Sequence, residues 1–370
     1  VKEGPTGTFS IGAGYSSGNG FLFNAGIAER NLFGRGQSVN GTFAIGSKQQ
    51  DFVVSYNEPY FNDSKVALGV TGFNTEQDFP DFDERKLGMA VTSSYPLKNF
   101  RVPFWAARNS AASKGSDELN GDAPVTMWDY MRGTMAYEFT RDKINNIESG
   151  APASILDAEG TSLTSAVIPG FTYDSRDHFF NPTEGTKSLF AVKIAGLGGD
   201  SRFVKTDLGA RWYYPLLKDP NWGGSYVLSV GGTIGWGVGY ASASNGGHDL
   251  PLFERYFPGG INSVRGYADR SLGPKEDGDV IGGDKQAIMN FEVLFPIAEQ
   301  FGLRGIAFFD IGQAFSSAEN ISWGEFRRSA GFGARWMSPF GPLRVELGFP
   351  LNKQSGDETS VLGFSAGNLP

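Results

Sequence analysis

Residues 286–295 read QAIMNFEVLF. In an extended chain Met289, Phe291, Val293 and Phe295 fall on one side, and Asn290 and Glu292 on the other, because successive side chains of a strand point to opposite faces. The same period recurs at 20–29, GFLFNAGIAE, where Phe21, Phe23, Ala25 and Ile27 oppose Asn24 and Gly26. In GIAFFDIG, 305–312, Ala307, Phe309 and Ile311 oppose Phe308, Asp310 and Gly312. An apolar face backed by a mixed polar one is what a strand needs when lipid lies outside and water inside. The competing reading, a soluble sandwich or barrel with a dry core, would need many more strands than an ordinary sheet carries.

Working outward, the pattern predicts strands near 8–15, 21–29, 36–47, 50–58, 65–74, 84–95, 127–141, 164–175, 186–197, 202–215, 224–241, 285–296, 302–315, 326–337, 342–349 and 360–368. These make an all-β chain, a transmembrane antiparallel β-barrel of sixteen strands in one domain over 1–370. The even number suits a single-chain bacterial barrel with both termini on one side. Short periplasmic turns are expected at 31–36, 57–64, 181–185 and 338–342, and long outer loops near 142–163 and 242–284. Residues 96–126 interrupt this alternation; they are either a periplasmic insertion or a hidden strand plus loop. No stretch carries capped 3.6-residue periodicity, so helical content should be very low.

Composition agrees with a membrane barrel. The 370 residues include 52 Gly, 31 Phe, 13 Tyr and 7 Trp; aromatics form interfacial girdles and glycines relieve crowding on tilted strands. No run of about 18 apolar residues occurs, so no transmembrane helix is expected. Mean hydropathy is -0.25, compatible with a barrel whose lumen positions are polar. Cysteine is absent, which removes disulfides, zinc clusters and thiol nucleophiles. His178 and His248 are the only histidines, too few for a multi-histidine metal site. The net charge of -8 and pI near 5.0 argue against a nucleic-acid partner. No metal and no cofactor is expected, nor an enzyme.

The most specific feature is FERYFPGGINSVRGYADRSLGP, residues 253–274. It resembles the loop-six signature of the BamA-like superfamily, which includes TamA and the two-partner secretion transporters. Its core here is Val264, Arg265, Gly266 and Tyr267, flanked by Gly259, Gly260 and LGP at 272–274. Further stretches resemble the family in order: TGTFSIGAGYSSGNGFLFNAGIAERNLFGRG, YDSRDHFFNPTEGTKS, FFDIGQAF and RRSAGFGARWMSPFGPLRVELGFPLNK. The resemblance covers nearly the whole chain except about 96–126 and 142–163, and WMSPFGPL places it nearest the BamA branch.

An Arg-bearing loop inside a wide barrel needs an anchor, and the guanidinium fork suits carboxylates. Periodicity puts Glu292 and Asp310 on lumen faces of successive strands. The resemblance implies that the loop folds into the lumen and that Arg265 pairs with Asp310, with Glu292 as a second acidic neighbour. Gly266 would permit close backbone approach, and Tyr267 would pack against the wall. An exposed Arg-Gly turn facing solvent is the alternative, and even a formed pair could be purely structural.

The resemblance also implies a weakly closed lateral gate between first and last strands. Its candidate residues are Phe9, Gly12 and Gly14 on one strand and Gly363, Phe364 and Gly367 on the other. Such glycines weaken strand order, or are ordinary for a tilted barrel. The chain ends Gly-Asn-Leu-Pro, with Pro370 where relatives commonly have an aromatic residue. The function implied is insertion of β-barrel proteins into the outer membrane, the expected cell outer membrane localisation. Expected partners are unfolded outer-membrane proteins as clients, accessory periplasmic lipoproteins, lipopolysaccharide and phospholipid. A passive porin is the rival from another class, and a secretion transporter the rival within the superfamily. VKEGPTG reads as a mature or trimmed start, just after the periplasmic POTRA repeats that the family carries.

Other matches carry less. GFSAG at 363–367 fits a hydrolase elbow, but neither a following helix nor a later His exists. Asp78, Asp81, Asp83 and Glu84, with Glu276, Asp277 and Asp279, could bind calcium. They read better as solvated loop tips, bridged by divalent ions to lipopolysaccharide. No P-loop or dinucleotide fingerprint occurs.

Overall fold

The computed structural model describes residues 6–99, 126–179, 181–219, 224–240, 249–338 and 341–366. The strands are β1 (Gly7–Ser16), β2 (Gly20–Leu32), β3 (Gln37–Gly46), β4 (Gln49–Glu58), β5 (Ala67–Asp78) and β6 (Asp83–Pro96). Then follow β7 (Met131–Asn145), β8 (Gly160–Asp174), β9 (Gly185–Gly199), β10 (Phe203–Asp219) and β11 (Gly224–Gly239). A two-residue ribbon, β12 (Lys275–Glu276) and β13 (Asp279–Val280), lies inside the long loop. The chain finishes with β14 (Lys285–Ala298), β15 (Leu303–Phe315), β16 (Arg327–Ser338), β17 (Gly341–Pro350) and β18 (Val361–Ala366). Without the ribbon, the strands close into one antiparallel barrel of sixteen, each paired with its sequence neighbour and β1 with β18.

Period-two patterning explains the wall. In β15, Phe308, Asp310 and Gly312 turn inward and are buried while Ala307 is exposed. Around the outside stand Phe9, Phe52, Leu87, Leu208, Ile234 and Phe332, all exposed large apolar side chains. Side chains this apolar belong against hydrocarbon. No described helix is long and apolar enough to cross a membrane.

Most boundaries fall within two residues of expectation, and the largest differences lie at β5, β7, β8 and β10. β7 and β8 run past the expected ends, so the loop between them shrinks to 146–159 and holds a four-residue helix, Ala153–Leu156. Arg141, Asp142 and Lys143 continue the ladder to β8, with Asp142 buried on the inner face and Arg141 and Lys143 exposed on the outer one. The expected alternation of short and long connections is weaker than predicted. The end bearing the long loop, read as outer, also has tight turns at 17–19, 47–48, 79–82 and 200–202. Of the 96–126 segment, 100–125 lie outside the described residues. β6 nevertheless pairs directly with β7 from Asp83↔Asn145 to Pro96↔Arg132, so no hidden strand comes between them.

Strand length is uneven around the barrel. β1, β3 and β4 have 10 residues each, whereas β10 has 17 and β11 16. At about 3.4 Å per residue, the wall at β1, β3 and β4 is lower than the wall at β10 and β11.

Candidate functional site

The connection from β11 to β14 turns back into the barrel. Its base is pinned where Tyr256 and Gly283 exchange backbone hydrogen bonds at 2.8 and 2.9 Å. Asp284 accepts from the Leu250 N–H at 2.6 Å and the Ser317 N–H at 2.9 Å. The tip reverses through Gly259 (φ 120°) and Gly260 (φ 84°), where a side chain would be strained.

Arg265 stands at the tip, 4% exposed. Its Nε donates to Asp310 Oδ2 and its Nη2 to Oδ1, both at 2.7 Å, and its backbone N–H donates to Oδ2 at 3.0 Å. Its Nη1 donates to Glu292 Oε1 at 2.7 Å and Glu346 Oε2 at 3.1 Å. The guanidinium lies over the Phe308 ring, 3.8 Å from its centroid. One planar fork thus binds one carboxylate in bidentate fashion and reaches two more.

The wall completes the charge balance. Arg335 donates to Glu346 and Glu292 at 2.8 Å each. Arg344 bonds Glu346 and also the tip itself, at the Ile261 carbonyl (3.1 Å) and Asn262 Oδ1 (3.2 Å). Arg211 donates to Glu292 Oε2 at 3.0 Å. Asn290 donates to Asp310 Oδ1 at 2.9 Å and to the Ser263 carbonyl at 2.8 Å. Buried charges persist only when paired and hydrogen-bonded, and removing one partner of such a pair costs about 3–5 kcal/mol.

Register brings these residues together. β14 and β15 set Asn290 opposite Asp310 and Glu292 opposite Phe308, and β16 and β17 set Arg335 opposite Arg344. Gly266 (φ 87°) lies on Gly348; a Cβ at Gly266 would stand 3.0 Å from the Gly348 carbonyl carbon. Val264 is buried with Tyr267, Leu272 and Ile288. The Tyr267 hydroxyl donates towards the Arg328 carbonyl at 2.9 Å and lies 3.0 Å from Asn352 Oδ1.

The structure therefore places Arg265 against both Asp310 and Glu292, with Gly266 and Tyr267 on the wall. Sequence reasoning missed Glu346, Arg335, Arg344, Arg211 and Gly348. The alternation in RVELGFP, with Val345 and Leu347 opposing Arg344, Glu346 and Gly348, was a usable signal for three of them. Arg211, on β10, reaches the site only through strand order and tilt.

The second candidate site is the seam. β1 pairs with β2 from Gly7↔Glu29 to Ser16↔Gly20 and, among the described residues, with β18 at Tyr15↔Ala366 and Ser16↔Ser365. One further bond runs from the Ser17 N–H to the Phe364 carbonyl at 3.0 Å. Among the described residues, the outward edge of β1 from Gly7 to Gly14 meets no partner strand. Phe9, on that stretch, is 67% exposed. Phe364 packs on Tyr15 with ring centroids 5.9 Å apart. A Cβ at Gly14 would stand 2.5 Å from the Ala366 carbonyl oxygen, so glycine there permits the approach of β18. Gly363 lies against Ile261 of the loop, while Gly12 faces Asn24 of β2. Gly367 and Pro370 lie outside the described residues, as does His248. Ser365 stands on strand β18.

Among the described residues no group of three His, Cys, Asp or Glu side chains could hold a metal. The two acidic sets converge on the outer rim. There Arg270 is stacked between Phe79 and Phe257, 3.9 and 3.7 Å from the ring centroids. Asp83 accepts from Asn146 and Glu276 from Ser154, each at 2.5 Å.

A family model described as the Omp85 superfamily domain matches residues 31–369. The chain is similar to the outer membrane protein assembly factor BamA of Nitratidesulfovibrio vulgaris, 31% identical over 97% of this chain and 41% of the relative. It is 27% identical to the BamA of Neisseria meningitidis serogroup B, over 99% of this chain and 47% of the relative. It thus spans less than half the length of either. Among solved structures, BamA from Haemophilus ducreyi lacking POTRA domains 1-3 superposes with a TM-score of 0.78 at 23% identity. That match covers 99% of this chain and 70% of the other.

Proposed function

The chain belongs to the Omp85 superfamily, and from that premise we propose that it is the barrel of an outer-membrane insertase, folding client β-barrels through the β1–β18 seam. Like its assembly-factor relatives, the barrel is an outer-membrane protein. The observation that carries the functional reading is the seam: among the described residues β1 meets β18 at two positions and has no partner strand on that side from Gly7 to Gly14. In hydrocarbon, each unpaired backbone N–H or C=O costs several kcal/mol. A client strand laid along β1 would satisfy them by β-augmentation.

The lower wall at β1 supports the same reading, because a short apolar belt thins the adjoining bilayer. Driving force would come from the client's own burial in lipid and closure of its backbone hydrogen bonds. No nucleotide, cofactor or covalent step is required, so the protein acts without being an enzyme. Clients would be unfolded outer-membrane proteins. Accessory periplasmic lipoproteins and POTRA repeats would deliver them, with lipopolysaccharide and phospholipid as surroundings. In this scheme the Arg265 network holds the loop as a lock and catalyses nothing. A porin fits less well, since the loop crosses the lumen. A secretion transporter of the same superfamily would share the lock but pass one dedicated partner through the pore.

Cysteines at Ser16 and Ser365, opposite each other across the seam, test the mechanism in the complete protein. These 370 residues hold no cysteine of their own, so within the barrel only the introduced pair can be oxidised. Oxidation should stop insertion of client barrels into proteoliposomes and reduction should restore it. Undiminished insertion by the oxidised protein would overturn the gate.

A further inference from the structure

The loop makes a second charged contact, on another arc of the wall. Glu254 lies on the limb that leads into the tip and is 5% exposed. Its Oε1 accepts from Lys193 on β9 at 2.6 Å, and its Oε2 from Lys205 on β10 at 3.1 Å. Lys205 also donates to the Glu254 carbonyl at 2.8 Å. Lys86 on β6 approaches Oε1 at 4.0 Å. The lysines are themselves paired on β7: Lys193 with Glu138 at 2.8 Å and Lys86 with Asp142 at 3.6 Å. Beside them Tyr256 lies under the Lys205 ammonium, and its hydroxyl donates to Asp207 at 2.7 Å.

We propose that Glu254 is a second clamp for the loop, opposite in sign to Arg265: a positioning residue that holds the leading limb on the lysine wall independently of the tip. The polarity supports this. At the tip the loop brings a cation to wall carboxylates; on the leading limb it brings a carboxylate to wall ammonium groups. A loop seated the other way round would face like charges at both places, and like-charge juxtaposition rejects wrong arrangements. The two clusters share no side chain among the contacts named above, and sites without shared partners act additively. Each clamp therefore retains its own limb when the other is cut. This concerns how the loop is held, goes beyond the insertase reading, and is tested without measuring insertion.

The cysteine-free chain allows single cysteines to report on each limb. Phe253→Cys reads the leading limb and Val264→Cys, at a wholly buried position beside Arg265, reads the tip, in the complete protein, by the rate of maleimide labelling. Glu254→Gln should raise the rate at 253 by about tenfold or more and leave 264 within about twofold, the sign of a local opening. Arg265→Gln should do the reverse. Glu254→Asp, which keeps the charge, should restore most of the protection at 253. Lys205→Gln, which leaves Glu254 in place, should loosen the same limb and serves if Glu254→Gln does not fold. Unchanged labelling at 253 in whichever of these variants folds, or an equal rise at both positions, would overturn the clamp.

Discussion

Arg265 is the residue on which the most buried charge depends. Three wall carboxylates, Asp310, Glu292 and Glu346, point at it. Arg211, Arg335 and Arg344 neutralise Glu292 and Glu346 from the wall side, but Asp310 has no second guanidinium among these pairs. Arg265→Ala should therefore weaken the tip by about 3–5 kcal/mol, the usual cost of orphaning a buried partner. Arg265→Lys should recover only part of this. An ammonium is a point charge and cannot bind Asp310 in bidentate fashion while reaching two glutamates. Hydrogen exchange of the 259–268 amides measures both: the order of opening should be Ala fastest, then Lys, then the parent chain. A lysine variant protected as well as the parent would show that charge alone seats the tip.

Among the elements, β1 and β18 were legible as strands, and as neighbours through the family resemblance, but the register of their pairing was not. The periodicity of 8–15 says which side chains face lipid; it does not say how far β18 accompanies β1. The turn from β8 to β9, residues 175–184, is more local. Burial raises the Asp177 pKa, but hydrogen bonds from the Thr183 hydroxyl and from the Thr183, Glu184 and His178 backbone N–H groups outweigh it and lower it from 3.8 to about 2. A carboxyl lowered on folding stabilises the turn above its ordinary value, and that contribution is lost as pH falls through the folded value. The turn should accordingly loosen between about pH 4 and 2, read by exchange of the Thr183 and Glu184 amides. Asp177→Asn should show weaker protection at neutral pH and lose the acid transition. An acid transition that persists in Asp177→Asn would assign it to another group.

At the scale of the whole barrel, the loop is a strut between two arcs of the wall, tied by Glu254 to β9 and β10 and by Arg265 to β14, β15 and β17. A barrel of sixteen strands without such a strut is wide enough for a water-filled channel. The parent protein in a planar bilayer should accordingly pass little current. Glu254→Gln and Arg265→Gln should each keep the current low, because the remaining clamp holds one limb. The double variant should conduct steadily. A parent barrel already conducting like an open pore would instead favour the porin reading.

The amino-acid sequence by itself determined the class of fold, sixteen strands with lipid outside, and brought Arg265, Asp310 and Glu292 into one hypothesis. Period-two alternation is a local property, carried by residues adjacent in the chain, so QAIMNFEVLF and GIAFFDIG suffice to assign faces. The family-like loop then supplied the partner for those faces. Tertiary structure alone decided that Glu346, Arg335, Arg344 and Arg211 complete the network, that β6 pairs directly with β7, and that Tyr15 meets Ala366 across the seam. Each depends on strand register and on closure of the barrel, which join residues far apart in the chain. The VRGY loop is legible in sequence; what it grips is settled only when the wall closes around it.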